Sequence, residues 1–125
     1  MSWDGRNRRR FPRVLYPCLI KMRGADDNKD LMLTHTENIS IGGVRLILKN
    51  KVPMAALLDI EIDLMDASEH LSCLGKVVWS EQRSSSEAVK PGFFDIGIEF
   101  MGVGEADRKR LEVIVRHNLK QGNQI

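Results

Sequence analysis

The sequence has few of the features that build cross-linked or membrane-bound proteins. Its two cysteines, Cys18 and Cys73, lie far apart and form no CxxC pair, so we expect two isolated, buried thiols. No apolar run approaches the roughly 20 residues that cross a bilayer, and the N-terminus lacks the apolar stretch of a secretory signal. These absences indicate a cytoplasmic protein without membrane insertion.

The sequence also lacks the residue sets that enzymes and metal sites need. Its three histidines are isolated, none falls at a metal-ligand spacing, and no Ser–His–Asp or Cys–His set is evident. They are His35, His70 and His117. The carboxylates Asp59, Glu61 and Asp63 alternate along one segment, which is typical of a solvated strand face rather than of a catalytic pair. We therefore expect no catalysis, no metal and no cofactor.

Positive charge, by contrast, is concentrated at one end of the chain. The net charge is only +2, but residues 1–24 carry seven bases against one acid, whereas the remainder carries 12 bases and 16 acids. The stretch NRRRFPRV at residues 7–14 holds four arginines and no acid. A protein that coats DNA is more often basic over a whole face. The asymmetry therefore favours a compact anionic partner, although a solvated basic N-terminus is the alternative for this stretch taken alone.

Six segments after residue 13 alternate apolar and polar residues with a period of two, as half-buried strands do. They are VLYPCLIKM, LMLTHTEN, GVRLILK, LLDIEIDLM, LSCLGKVVWS and FFDIGIEF. Pro17 marks the first segment as an edge or bulged strand, because proline cannot donate a ladder hydrogen bond. The polar segment EQRSSSEAVKPG separates the last two strands.

After Gly104 the period becomes that of a helix with one largely apolar face, which we expect to end near Gly122. The face comprises Leu111, Ile114, Val115, Asn118 and Leu119. Six short strands and one helix fit a mainly β domain, a small six-stranded antiparallel β-barrel with the C-terminal α-helix packed against it. We expect a flexible basic N-terminal segment at residues 1–13 and the barrel domain with its helix at residues 14–122.

The arginine-rich stretch contains Arg9 and Arg13, four residues apart, with Phe11 and Pro12 between them. Pro12 disfavours the helical region for Phe11, which favours an extended segment. Arg9 and Arg13 then point the same way, roughly 13 Å apart. Arginine grips phosphate through a planar, bidentate fork and stacks on a base. The spacing therefore indicates a clamp for a ligand that carries more than one phosphate.

The stretch ENISIGGVRL has the composition of a turn or a bulge between two strands. The short polar side chains of Asn38 and Ser40 hydrogen-bond locally. Gly42 and Gly43 permit positive φ angles and a close approach of a ligand to the main chain. Asn38 can also accept a hydrogen bond from a guanine edge, and Ser40 can donate to a phosphate or pin the turn. Taken alone, the stretch is more typical of a plain turn between strands.

Taken together, Arg9-x-x-x-Arg13 and Asn38-x-Ser40-x-x-Gly43 resemble the RxxxR and [D/N]xSxxG elements of the PilZ domain. Members of that family bind the bacterial second messenger cyclic di-GMP. The resemblance runs from about residue 8 to the C-terminal helix and includes GKVVW, IGIEF and the closing EADRKRLEVIVRHNL. Either element recurs by chance, whereas both elements in this order and strand context are specific.

The resemblance implies a receptor for cyclic di-GMP whose ligand-binding site draws on both elements. The implied residues are Arg8, Arg9, Arg13, Asn38, Ser40, Gly43 and Trp79. By the family pattern, the two motif arginines hold phosphate and guanine groups, the asparagine and the serine line the opposite wall, and the glycine lets the backbone come close. Arg8 lies where some relatives use an extra arginine to accommodate a stacked pair of ligands. Trp79 can offer its face to a base or close the barrel end.

Repulsion among the N-terminal arginines predicts a mobile segment, which ligand phosphates neutralise and fold against the barrel mouth. Such ordering changes a docking surface for an effector protein that the sequence leaves unidentified. Two alternatives stay open: a small barrel that binds single-stranded nucleic acid, and a PilZ-like interaction module that binds no nucleotide. Nucleic acid is the less favoured partner, because the chain has only seven aromatic residues and carries more acid than base after residue 24.

Overall fold

The computed structural model describes residues 12–24, 32–49, 52–82 and 93–123, except for the side chain of Glu37. Within these ranges the chain forms seven strands followed by one helix. They are β1 (Val14–Leu15), β2 (Leu19–Gly24), β3 (Met32–Ile39), β4 (Gly43–Leu48), β5 (Leu57–Ile62), β6 (Leu71–Gln82), β7 (Phe94–Met101) and α1 (Glu105–Lys120). In the described part of the chain, no helix has the length and apolar character needed to cross a bilayer.

Six strands form a closed barrel in the order β2–β5–β6–β7–β4–β3, and β3 pairs back onto β2. Every pairing is antiparallel, and the two-residue β1 extends the wall beside β3. Closure gives each of the six strands two partners, so the barrel has no unpaired edge. The predicted mainly β fold, a six-stranded antiparallel barrel with a C-terminal helix, is confirmed.

The predicted first strand is divided at Pro17 into β1 and β2, which both pair with β3. Proline cannot donate to the ladder, and the buried Thr36 of β3 supplies contacts at the break. Its hydroxyl donates to the carbonyl of Tyr16 at 2.8 Å and accepts from the backbone N–H of Cys18 at 3.1 Å. A buried polar side chain therefore joins the two strand fragments.

Alternate residues of the barrel strands fill the interior together with one face of α1. The most deeply buried apolar side chains are Val14, Ile20, Met22, Ile39, Leu46, Ile62, Leu64, Leu71, Val77, Ile96 and Leu111. The expectation of a buried thiol holds for Cys18, whereas Cys73 is only half-buried. Partial burial still raises the pKa of the Cys73 thiol to about 11, so this cysteine stays protonated at neutral pH.

The last turn of α1 is fastened to β1. Gly122 adopts a φ angle of +80°, which glycine takes without steric cost at the end of a helix. The backbone N–H of Asn123 donates to the carbonyl of Asn118 at 2.9 Å, and the backbone N–H of Leu15 donates to the carbonyl of Asn123, also at 2.9 Å. The C-terminal end of the helix is thereby held to the strand that directly follows Arg13.

Near its other end, α1 is tied to the segment between β5 and β6 by Arg110. The Nε and Nη2 of Arg110 donate to the Asp66 carboxylate at 2.9 and 2.8 Å, and Nη1 donates to Asp107 at 2.8 Å. Nη2 also donates to the carbonyl of Glu69 at 2.7 Å. The hydrogen bonds from Arg110 hold the pKa of the Asp66 carboxyl below its usual range.

We predict that Arg110→Ala lowers the free energy of unfolding by about 1–2 kcal/mol at neutral pH, because it removes a bidentate, charge-assisted contact on a side chain that is only 20% exposed. The folded-state pKa of Asp66 is depressed, so this stabilisation is present above the ordinary carboxyl pKa and is lost as the pH falls below it. The difference between wild type and variant should therefore narrow below about pH 4. Urea unfolding at pH 7 and pH 3 measures both effects.

Lys109→Ala is the matched control, since Lys109 and Glu105 form an exposed pair at 3.7 Å one residue away on the same helix. We expect this variant to keep nearly the wild-type free energy of unfolding at both pH values. An Arg110→Ala loss no larger than that of Lys109→Ala would contradict a stabilising role for the tie.

Candidate functional site

Five residues on five neighbouring strands form one continuous row across the outer face of the barrel. The row runs through Leu15 of β1, Asn38 of β3, Arg45 of β4, Gly97 of β7 and Trp79 of β6, each paired in register with the next. Neighbouring strands lie about 4.8 Å apart, so these residues, which we call the cross-strand row, span roughly 19 Å. This length suits a ligand larger than a single nucleotide base.

Two bulges turn Asn38 and Trp79 onto this outer face. The register shifts between Thr36 and Asn38 in β3, and again between Val77 and Trp79 in β6. Thr36 and Val77 are buried inside the barrel. Strict alternation would therefore also place Asn38 and Trp79, two positions further along, inside the barrel. The extra residue of each bulge reverses the alternation, as bulges beside functional sites commonly do. Both side chains therefore share a face with Arg45 and Gly97.

Asn38 holds a buried acceptor that the described residues leave unpaired. The residue is 3% exposed, and its Oδ1 has no hydrogen-bond partner in the part of the chain that the structure describes. Buried polar atoms are nearly always paired, and leaving one unpaired costs about 1–3 kcal/mol. The acceptor is therefore complementary to an N–H donor brought by a ligand.

The other two residues of the second motif shape the turn between β3 and β4. The Oγ of Ser40 accepts from the backbone N–H groups of Gly42 and Gly43 at 3.1 and 3.2 Å. Gly43 does not use a positive φ angle; a Cβ there would overlap the backbone carbonyl of Ile98 on β7. The serine thus pins the turn, and the glycine lets β4 approach β7, each independently of a ligand.

Arg45 and Asp95 are functional candidates that the motifs did not include. The guanidinium of Arg45 lies 3.3 Å from the Asp95 carboxylate and 5.9 Å from the centre of the Trp79 ring. The indole packs over Gly97, where any Cβ would overlap it. Arg45 alternates outward in GVRLILK and Gly97 in IGIEF, but outward alternation alone does not distinguish them from other exposed strand residues.

The structure brings part of the predicted site together. Arg13, half-buried, directly precedes β1 and is followed two residues later by Leu15 of the cross-strand row. Asn38 and Trp79 belong to the row itself, while Ser40 and Gly43 lie in the adjoining turn. Arg8 and Arg9 lie outside the described residues, so their place in the site stays a prediction.

A groove of about 690 Å³ lies elsewhere, on the faces of β2, β5 and β6. Its basic side chains, Lys21 and Arg23, pair in register with Glu61 and Asp59, and the Lys21 ammonium lies 3.5 Å from the Glu61 carboxylate. The charges of this groove are therefore balanced internally. The cross-strand row, by contrast, has an aromatic ring and an acceptor without a partner among the described residues, and it adjoins the arginine motif.

A family model described as PilZ domain matches residues 7–117, which is most of the chain. The match begins within the arginine-rich stretch and ends in α1, so it includes both motifs and the whole barrel. No curated protein sequence matches the chain significantly.

Solved structures with the same fold are distant in sequence. The PilZ domain of YcgR from Escherichia coli, solved with c-di-GMP, has 17% identity and a TM-score of 0.67, with 92% of this chain and 94% of that domain covered. MrkH of K. pneumonia in complex with c-di-GMP has 21% identity, a TM-score of 0.72 and coverages of 91% and 53%. The Bacillus subtilis inhibitor of motility, MotI/DgrA, has 16% identity, a TM-score of 0.71 and coverages of 90% and 52%. The chain spans about half the length of the last two.

We predict that Gly97→Ala displaces the indole of Trp79, because the added methyl group occupies the space where the ring packs. In a Trp3→Phe background, which leaves Trp79 as the only tryptophan, the emission should shift to longer wavelength as the ring leaves the barrel wall. Gly104→Ala is the control, since a Cβ at that position meets nothing within 4 Å. An unshifted Gly97→Ala spectrum would contradict the packing described.

Proposed function

Because the chain belongs to the PilZ domain family, we propose that it is a receptor for cyclic di-GMP and binds it along the cross-strand row. The observation that carries the proposal is the buried Oδ1 of Asn38, an acceptor with no partner among the described residues, on the same row as Arg45 and Trp79. The complexes of YcgR and MrkH with c-di-GMP, which share this fold, support it.

The chemistry of the ligand matches the groups on the row. Each guanine carries N–H donors on its Watson–Crick edge, which suit the unused acceptor of Asn38. The two phosphates suit arginine forks, here Arg13 and Arg45. The face of Trp79 suits stacking by the second base. None of these groups is placed to break a bond, so the proposed role is binding rather than catalysis.

The N-terminal arginines complete the proposed site. Residues 1–13 form the basic segment, in which Arg9 belongs to the motif and Arg8 precedes it. Ligand phosphates neutralise this charge and draw the segment to the barrel near β1, which Arg13 directly precedes. The N-terminal segment and the ligand then present a new surface to an effector protein. Ligand binding thereby leads to a protein–protein interaction in the cytoplasm.

Calorimetric titration with cyclic di-GMP tests the proposal directly. We expect micromolar or tighter binding by the wild type, on the order of −8 kcal/mol. Arg9→Ala, Arg13→Ala and Arg45→Ala should each weaken binding by roughly tenfold or more, because each removes a charge-assisted contact. Two ligands per chain would bring Arg8 into the site, and one would leave it outside.

The matched control is Arg23→Ala, which removes the same charge from the separate groove on β2 and should bind as the wild type does. GTP and a short DNA strand serve as control ligands. Binding of the DNA strand with steep salt dependence, without binding of cyclic di-GMP, would favour the nucleic-acid alternative instead. The absence of heat and of NMR shifts with cyclic di-GMP would refute the receptor proposal.

Asn38→Leu separates a ligand-binding role from a structural role. The leucine removes a buried acceptor that has no partner among the described residues, so we expect the free energy of unfolding to stay constant or to rise by up to about 1 kcal/mol. The same change should weaken cyclic di-GMP binding by roughly tenfold or more, because a guanine donor loses its partner. Urea unfolding and calorimetry on the same preparation measure the two effects. A variant that is destabilised but binds normally would contradict the role assigned to Asn38.

A further inference from the structure

Arg45 is engaged on two sides. Its guanidinium lies 3.3 Å from the carboxylate of Asp95, and it lies over the ring of Trp79 at 5.9 Å from the ring centre. The Asp95 side chain is only 14% exposed, so water screens this ion pair less than it screens a pair on the open surface. The carboxylate therefore restrains the arginine that lies at the centre of the cross-strand row.

The register places Asp95 beside the row rather than in it. It pairs with Ile47 of β4 and with Glu81 of β6, whereas Arg45 pairs with Gly97, two residues further along β7. Asp95 reaches Arg45 along a diagonal and holds it near Trp79. A base that stacks on Trp79 and a phosphate that binds Arg45 each have to compete with an interaction already present.

We propose that Asp95 is a positioning residue that sets the affinity and selectivity of the cyclic di-GMP site by holding Arg45 against Trp79. The inference rests on the proposed function of the same site. Asp95 and a ligand phosphate are both anions that compete for one guanidinium, and they repel each other when both approach it. Asp95 therefore weakens the binding of any phosphate ligand at this position.

The restraint also favours one class of ligand over another. When a ligand binds, Arg45 gives up its contacts with Asp95 and Trp79. The phosphate of a dinucleotide gives the guanidinium a new partner, and its base gives the indole a new partner. Inorganic pyrophosphate replaces only the first. Asp95 thus opposes the binding of a bare phosphate compound more strongly than that of a dinucleotide, by the logic that selectivity often uses a repulsive element.

The test compares Asp95→Asn with the wild type by calorimetry, using cyclic di-GMP and inorganic pyrophosphate at one fixed salt concentration. We expect Asp95→Asn to bind cyclic di-GMP roughly tenfold more tightly. The ratio of its affinity for cyclic di-GMP to its affinity for pyrophosphate should fall, because the affinity for pyrophosphate rises more. Asp95→Glu, which keeps the charge, should stay near the wild type. Glu81→Gln is the matched control, since it removes the same charge directly opposite Asp95.

A double-mutant cycle shows whether Asp95 acts through Arg45. In an Arg45→Ala background, Asp95→Asn should no longer change the affinity, because the restrained side chain is gone. A persistent gain in that background, or an equal gain in Glu81→Gln, would show a general charge effect and overturn the inference. Unchanged or weaker binding of cyclic di-GMP by Asp95→Asn, measured beside a wild type that binds, would also overturn the inference. That result would leave the receptor proposal intact. If neither wild type nor variant binds cyclic di-GMP, both proposals fail.

Discussion

The register of the closed barrel, shifted by one residue in β3 and again in β6, is the constraint on which the candidate site depends. Each barrel strand has two partners, so no strand can slide without breaking pairs on both sides. A pair of buried residues lies next to each shift and holds it in place. The pair is Ile39 and Val44 at the shift in β3, and Val77 and Ile98 at the shift in β6. The same pairings that close the core therefore decide which polar side chains meet on the outer face.

The outer face brings together polar and aromatic groups that a ligand can engage. Asn38 buries an acceptor for which the described residues supply no donor, and Arg45 is shared between a carboxylate and an aromatic ring. A buried acceptor of this kind is poor for stability, and such local costs recur where a surface is kept for recognition. Ser40 and Gly43 differ, since each has a sufficient structural reason in the turn and in the contact with β7. Loss of binding on substituting either residue would not by itself identify a ligand contact.

The period-two and helical patterns predicted the barrel and the helix well, because alternation reports burial directly and the interior is filled by alternate residues. The missing N–H of Pro17 predicted an edge or bulged strand, whereas the structure breaks the segment there into β1 and β2, both paired with β3. The cross-strand row could not be predicted, because it depends on the pairing of strands that are far apart in the sequence and on two register shifts. Arg45 and Gly97 carry no local signal that separates them from other outward residues, and for Trp79 strict alternation points to the wrong face. The assignments of Arg8 and Arg9 still rest on the motif alone.

The hydrogen bond from Leu15 to Asn123 has a practical consequence for anyone who handles this protein. It brings the turn after α1 to the strand that pairs with Asn38, so Asn123 lies beside the first residues of the barrel wall. Any segment attached behind this turn, such as an affinity tag or a fluorescent protein, would therefore emerge next to Leu15 of the cross-strand row. Its linker length and charge would become part of the local chemistry at β1.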